Sequence, residues 1–270
     1  MNNVLSRKII KDLEKVGFPA EVAVATDLEK DNWIVYNGAL FVDDVGGKPR
    51  EIDVRAVDVD FSLANQVKRK IKKGTENKLI SHLIIEVKKT DKPWVFFDNG
   101  RPNDWAHIPE QNIKASKKDF PTFFDELKSL GLKRHRYLNA KFHKSYHVAF
   151  TKPLENSMIY ESLIKTSKAL IYFKDIYGIG GFSIHLFTPI IVLDGSLWSA
   201  TLDKNNIVKL KSVDHLFVLF GQLTTAKTQK ITYEDNQVLD VVTRKSFMKY
   251  LKTIRKDNKE IYKAWTNWVK

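Results

Sequence analysis

Asp53 stands in the run Arg50-Glu51-Ile52-Asp53-Val54, and Glu86 and Lys88 close the run Leu83-Ile84-Ile85-Glu86-Val87-Lys88. Two carboxylates and an ammonium drawn from two short apolar runs make a kit for metal-assisted hydrolysis. Magnesium takes oxygen ligands in an octahedron, commonly one or two carboxylates completed by waters and substrate phosphate oxygens. A bound ion polarises a phosphate and lowers the pKa of a water. A lysine beside it orients that water and offsets the charge of the transition state. Phosphodiester bonds are the substrates such a set suits. The same three residues also have a plainer reading, as solvated strand charges in a lysine-rich chain.

Position decides between the two. On a strand, alternate side chains share a face, so Glu86 and Lys88 point one way and Ile85 and Val87 the other. At the usual rise per residue the carboxylate and the ammonium start about 7 Å apart along the strand. Leu83-Ile84-Ile85 marks a central, buried strand, where a charge is costly unless it is paired or metal-bound. Asp53 lies between Ile52 and Val54 on its own apolar run. If the two strands are neighbours, Asp53 and Glu86 converge on one point.

The rest of the chain reads as helices and strands around that pair. Val4 to Val16 is an amphipathic helix, with Leu5, Ile9, Leu13 and Val16 at helical spacing and Gly17 as its stop. Glu21–Ala25, Trp33–Tyr36 and Ala39–Val42 read as short strands, and Gly46-Gly47-Lys48-Pro49 as a turn. Strands follow over Glu51–Val59, His82–Lys88 and Trp94–Phe97, with a basic helix over Phe61–Lys73 between the first two. A helix near Phe120–Leu130, a strand near Tyr146–Phe150 and a helix over Asn156–Phe173 come next. Ser183–Leu193 is a long apolar run with the character of a central strand, although Pro189 interrupts it. Leu197–Leu202 and Val213–Phe220 are further strands. Thr243–Val269 is helical, with Phe247, Tyr250, Leu251, Ile254, Ile261, Trp265 and Trp268 on one stripe. No low-complexity linker and no internal repeat divides the chain.

With these elements in place, the chain resembles the PD-(D/E)xK, or restriction-endonuclease-like, nuclease superfamily. The resemblance rests on Asp53 followed by Glu86-Val87-Lys88, on the entry Gly47-Lys48-Pro49-Arg50-Glu51-Ile52-Asp53-Val54, and on Pro189-Ile190-Ile191-Val192-Leu193-Asp194-Gly195. It spans roughly residues 4–220. It departs from the motif in having Glu51-Ile52, not proline, before Asp53. It implies an α/β fold: a mixed central sheet flanked by helices, with an α-β-β-β-α-β core. That core would take the helix 4–16, a strand within 21–42, the Asp53 and Glu86/Lys88 strands, the helix near 156–173 and the strand near 184–193. Residues 1–222 would form the nuclease-like domain and 223–270 a basic helical extension packed on it. The resemblance further implies Asp53 and Glu86 as metal ligands, the Val87 carbonyl as another and Lys88 as the catalytic lysine. Glu14 would be the glutamate that many members carry on the first helix. The cofactor would be Mg²⁺, with Mn²⁺ able to substitute.

The chain has 270 residues, with 45 Lys+Arg against 32 Asp+Glu, a formal net charge of +13 and a pI near 9.6. Such a balance favours polyanionic partners, because cationic side chains gain by releasing phosphate counterions. Segment 243–270 holds nine Lys/Arg against two Asp/Glu. Lys68, Arg69, Lys70, Lys72 and Lys73 form a second cluster, placed with Lys89 as nucleic-acid contacts. Lys133, Arg134 and Arg136 form a third. Cysteine is absent, which excludes disulfides, zinc–thiolate sites and cysteine nucleophiles. No apolar run approaches the roughly 18 residues of a membrane helix, and the first residues lack an apolar leader. A cytoplasmic protein without a membrane partner is expected. His143 and His147 read as strand residues without a third metal ligand, and Gly178-Ile179-Gly180-Gly181 lacks the Gly-Lys-Ser/Thr ending of a phosphate loop.

Three functions fit these residues. The first is a Mg²⁺-dependent (endo)nuclease acting on DNA, in a defence or repair setting, as a homodimer or within a larger assembly. The second is a nuclease-fold protein that only binds nucleic acid or a protein partner. The third is an RNA nuclease with the same site.

Overall fold

The computed structural model describes residues 2–43, 46–59, 78–98, 113–115, 135–137, 140–151, 157–177, 183–226 and 231–268. The basic helix read over Phe61–Lys73 and the helix near Phe120–Leu130 lie outside the described residues. The side chains of Trp265 and Trp268 do so too.

Helices α1 (Asn2–Val16) and α2 (Phe18–Lys30) lead into strands β1 (Ile34–Val42), β2 (Pro49–Val59), β3 (Lys78–Lys89), β4 (Trp94–Asp98), β5 (Ile113–Ala115) and β6 (Phe142–Val148). Helix α3 (Ser157–Ile176) follows. Strands β7 (Ser183–Asp194), β8 (Leu197–Leu202), β9 (Val208–Ser212), β10 (His215–Ala226) and β11 (Ile231–Thr243) precede helix α4 (Phe247–Trp268). Among the described residues the strands form one eleven-stranded mixed sheet in the order β1-β2-β3-β7-β11-β10-β6-β4-β8-β9, with β5 paired to β7. Strands β1, β2 and β3 make an antiparallel meander. Strand β7, reached after α3, runs parallel to β3 from Lys78↔Ser183 to Lys89↔Asp194.

Helices cover both faces. Val54, Ala56, Leu83, Ile85, Val87, Ile190 and Val192 pack with α2 and α4 residues such as Val24, Leu28, Phe247 and Leu251. The intervening residues face α3: Ile84 and Phe187 meet Ala169, Leu170 and Phe173, while Ile191 and Leu193 meet Ile159 and Leu163. Adjacent residues of β7 thus serve opposite cores, which makes β7 a central strand and accounts for its unbroken apolar run. Pro189 is tolerated within the ladder opposite Ile84.

Three expectations change. Glu21–Ala25 is helical, because Pro19 sits in the first turn of α2, where a missing N–H costs nothing, and Ala20, Val24, Ala25 and Leu28 form a buried helical stripe. Gly17, at φ 82°, ends α1 and caps α2. The helix entering the meander is therefore α2, while α1 leaves Leu5, Ile9 and Leu13 exposed. Finally, the segment from 223, expected as a helical extension, first completes β10 and then forms β11 inside the sheet. The β-branched run Val238–Thr243 pairs with β10 and with β7, and α4 begins only at Phe247.

Candidate active site

Strands β2 and β3 pair from Val59↔Ile80 to Val54↔Ile85, and there the ladder stops. Continuing the register by one residue would set Asp53 opposite Glu86. The Val87 N–H donates instead to Asp53 Oδ2 at 2.8 Å. On the other side of β2, the β1–β2 ladder passes from Asn37↔Val54 to Ala39↔Ile52, skipping Gly38 and Asp53. Asp53 is thus released from both ladders and its carboxylate is held by the neighbouring strand.

Glu86 has no solvent exposure and lies among Ile85, Val87 and Ile191. Burying a leucine or isoleucine stabilises by about 1.5–3 kcal/mol. A lone buried ion costs several kcal/mol, so without cations Glu86 would cancel what its neighbours contribute. Two ammonium groups reach it: Lys88 Nζ lies 2.6 Å from Oε1, and Lys165 Nζ 2.6 Å from Oε2. The Lys88 side chain folds back along its strand, closing the separation expected from rise alone. Both Glu86 oxygens touch an ammonium, and the contact with Lys165 has the character of a hydrogen bond. Burial above all, and then the charge of Asp53, raises the Glu86 pKa, while Lys88 and Lys165 pull it back down.

Lys165, on α3, is the residue the sequence does not announce. Its ammonium also donates to Asp53 Oδ1 at 2.8 Å. One nitrogen therefore bridges the two carboxylates expected to share a metal. Burial would lower the Lys165 pKa, but Glu86 and Asp53 outweigh it and the net shift is upward. One turn on, Lys168 Nζ contacts both oxygens of Asp43 at 2.9 and 2.8 Å, which fixes α3 against the end of β1. Ser162, Thr166 and Ser167, all buried on α3, are small enough to let the helix approach the sheet.

A third carboxylate belongs to the same field. Glu21, in the first turn of α2, has its pKa raised by burial and then by the charges of Asp53 and Glu86. Gly17, just before that turn, lies near the end of β3: a Cβ there would sit 3.9 Å from Lys89 Cβ. Glu21 is thus the described helical glutamate beside the pair. The Glu14 side chain lies outside the described residues, as do Lys68, Arg69, Lys70, Lys72 and Lys73. Lys89 is exposed at the end of β3. Val87 enters the site through its N–H.

Among the described residues, no three His, Asp or Glu side chains are grouped as a metal cage. Magnesium does not require one, since waters and substrate oxygens complete its shell. The donor set fits such an ion: Asp53 and Glu86 lie within reach of one cation, and an oxygen of each already faces the same cationic nitrogen.

Two other polar side chains have structural roles. Arg136, from the third basic cluster, is buried with a side chain only 6% exposed. Its guanidinium donates to Asp257 Oδ2 at 3.1 Å and lies 3.6 Å from Asp240 Oδ2, and Tyr137 donates to Asp240 Oδ1 at 3.0 Å. It ties β11 to α4 and is not placed to meet a phosphate backbone. Lys133 and Arg134 lie outside the described residues. His143 bonds the Phe217 carbonyl and Ser199 Oγ at 3.1 and 2.8 Å, a packing role.

No family model, no curated protein and no solved structure matches the chain.

Proposed function

We propose that this chain is a divalent-metal-dependent nuclease of the PD-(D/E)xK type, cutting phosphodiester bonds in DNA. The observation that carries the reading is the bridge at Lys165. One cationic nitrogen contacts Asp53 and Glu86 together, so both carboxylates lie within one ion's reach. The element order supports the resemblance: helix α2, the antiparallel meander β1–β2–β3, helix α3, then β7 parallel to β3.

Asp53 and Glu86 would hold Mg²⁺ or Mn²⁺, which polarises the phosphate and lowers the pKa of a water. The residues of the chain supply the rest. Asp53, fixed through Oδ2 by the Val87 N–H, presents Oδ1 to the same ammonium that touches Glu86. Lys88, already 2.6 Å from Glu86, stands where an ammonium would orient the attacking water and offset charge on the phosphate. Glu21 adds negative charge that favours a divalent ion over a monovalent one.

The test is cleavage of labelled DNA and RNA by the full chain with Mg²⁺ or Mn²⁺, beside Asp53→Asn and Glu86→Gln. Metal-dependent cutting of DNA that both variants lose is the expected result. Cutting confined to RNA moves the substrate to the RNA-nuclease reading. The specific observation favouring the binding-only alternative is that the two carboxylates are already neutralised by lysines. Salt-sensitive DNA binding without turnover in any metal would establish that alternative and remove this one.

A further inference from the structure

We propose that Lys165 is the built-in occupant of the metal position: its ammonium fills the place between Asp53 and Glu86, and a divalent ion enters only by displacing it. The inference rests on the metal-site reading above and deepens it by saying what guards the site.

Three observations carry it. Lys165 Nζ lies 2.8 Å from Asp53 Oδ1 and 2.6 Å from Glu86 Oε2, so it occupies the point where the two carboxylates converge. Oxygen ligands sit about 2.1 Å from magnesium, so an ion placed at that same point of convergence would overlap this ammonium. The charge count agrees. Asp53, Glu86 and Glu21 against Lys88 and Lys165 leave one net negative charge, and a divalent ion added while both lysines stayed on the carboxylates would turn it to a net +1 in a mostly buried corner. Lys165 also has an exit. Its side chain is 26% exposed and hangs from a helix by a flexible four-carbon stem, whereas Lys88 remains on Glu86 and keeps that carboxylate from being stranded. The displaced ammonium would stand at the mouth of the site, where the scissile phosphate arrives. The lysine thus holds the carboxylates together in the absence of metal and lowers apparent metal affinity by the fraction of time it occupies the site.

Two measurements on the full chain test this. The first is Mn²⁺ binding by titration calorimetry to wild type, Lys165→Met and Asp53→Asn. Lys165→Met should bind Mn²⁺ about tenfold more tightly, as expected if the lysine leaves the site open about a tenth of the time. Its metal-free melting temperature should fall, and Mn²⁺ should raise it further than it raises that of wild type. The second uses wild type alone: acetylation of lysines by a small anhydride with and without Mg²⁺, read by peptide mass spectrometry. Lys165 should label several-fold faster with Mg²⁺, while Lys168, held by Asp43, should not change. Lys165→Met affinity equal to or weaker than wild type, or Lys165 labelling indifferent to bound metal, overturns the proposal. In that case loss of Mn²⁺ binding in Asp53→Asn leaves the metal site standing. Absence of Mn²⁺ binding in both wild type and Lys165→Met overturns the metal site and the proposal together. If Lys165→Met does not fold, the labelling of wild type decides.

Discussion

Asp53 accepts the backbone N–H of Val87 at 2.8 Å, at the place where the β2–β3 ladder has ended. A side chain has taken over the acceptor that a paired strand would have supplied. Asp53→Ala removes it and leaves a donor without its partner, a loss of about 1–3 kcal/mol. Asp53→Asn keeps an acceptor oxygen and should lose clearly less. Urea unfolding of the two variants compares them, and equal losses would show that Val87 does not depend on this contact.

Lys88 separates chemistry from stability. Its side chain is partly exposed, and Glu86 retains Lys165 when it is removed. Lys88→Ala should therefore cost only about 1 kcal/mol of stability. It should lower metal-dependent cleavage by about a hundredfold or more. A cleavage assay beside a melting curve gives both numbers, and undiminished cutting would remove Lys88 from the mechanism.

Arg136 should behave in the opposite way. Arg136→Met leaves Asp240 and Asp257 buried without their cation, and the loss should be about 3–5 kcal/mol. At a temperature where the variant is folded, its affinity for DNA and the salt dependence of that affinity should match wild type. A shallower salt slope would show a phosphate contact that the burial of Arg136 argues against.

Acid should unfold the protein through its buried histidines. His82 is packed against His185, Phe187 and Tyr177, with Arg55 nearby, and burial, then His185 and Arg55, hold its pKa down to about 2. The His215 pKa is likewise lowered, to about 4, by burial first and then by Arg136. Both take up a proton near pH 6.5 in the unfolded chain. The unfolded state therefore binds more protons below that pH. Stability is fully present above 6.5 and falls by about 1.4 kcal/mol per pH unit for each such histidine as pH drops towards 4. Asp240, raised to about 6 by burial, works the other way between its ordinary range and 6 and offsets part of the slope. His82→Gln should reduce the slope of stability against pH by about one proton between pH 6 and 4. An unchanged slope would show that His82 takes up a proton in the folded protein.

Asp53, Glu86 and Lys88 were legible because strand alternation is a local rule: residue type and spacing place two side chains on one face without knowledge of the rest. Lys165 was not, because it sits on a helix 112 residues from Asp53, and along that helix it reads as an ordinary polar-face lysine. Glu21 was hidden by Glu21-Val22-Ala23-Val24-Ala25, whose alternation suggests a strand. Pro19 and the alanines were the signal for a helix. Strand β11 was missed because its first half, Thr232–Gln237, is polar and carries no two-residue hydrophobic rhythm. Arg136 shows the limit of charge counting: a basic triplet in sequence says nothing about which member is buried.

The bridge at Lys165 has a consequence for the order of folding. The meander that brings Asp53 to Glu86 closes a short stretch of chain, whereas Lys165 arrives only when α3 docks, 112 residues away from Asp53. Local pairings form before distant ones, because long loops cost more entropy to close. The two carboxylates should therefore meet before their bridging counter-ion is present, and their repulsion belongs to the folding barrier. Refolding in Mn²⁺, followed by stopped-flow fluorescence, should be faster than in its absence. The same rate in both solutions would mean that α3 is in place before the meander closes.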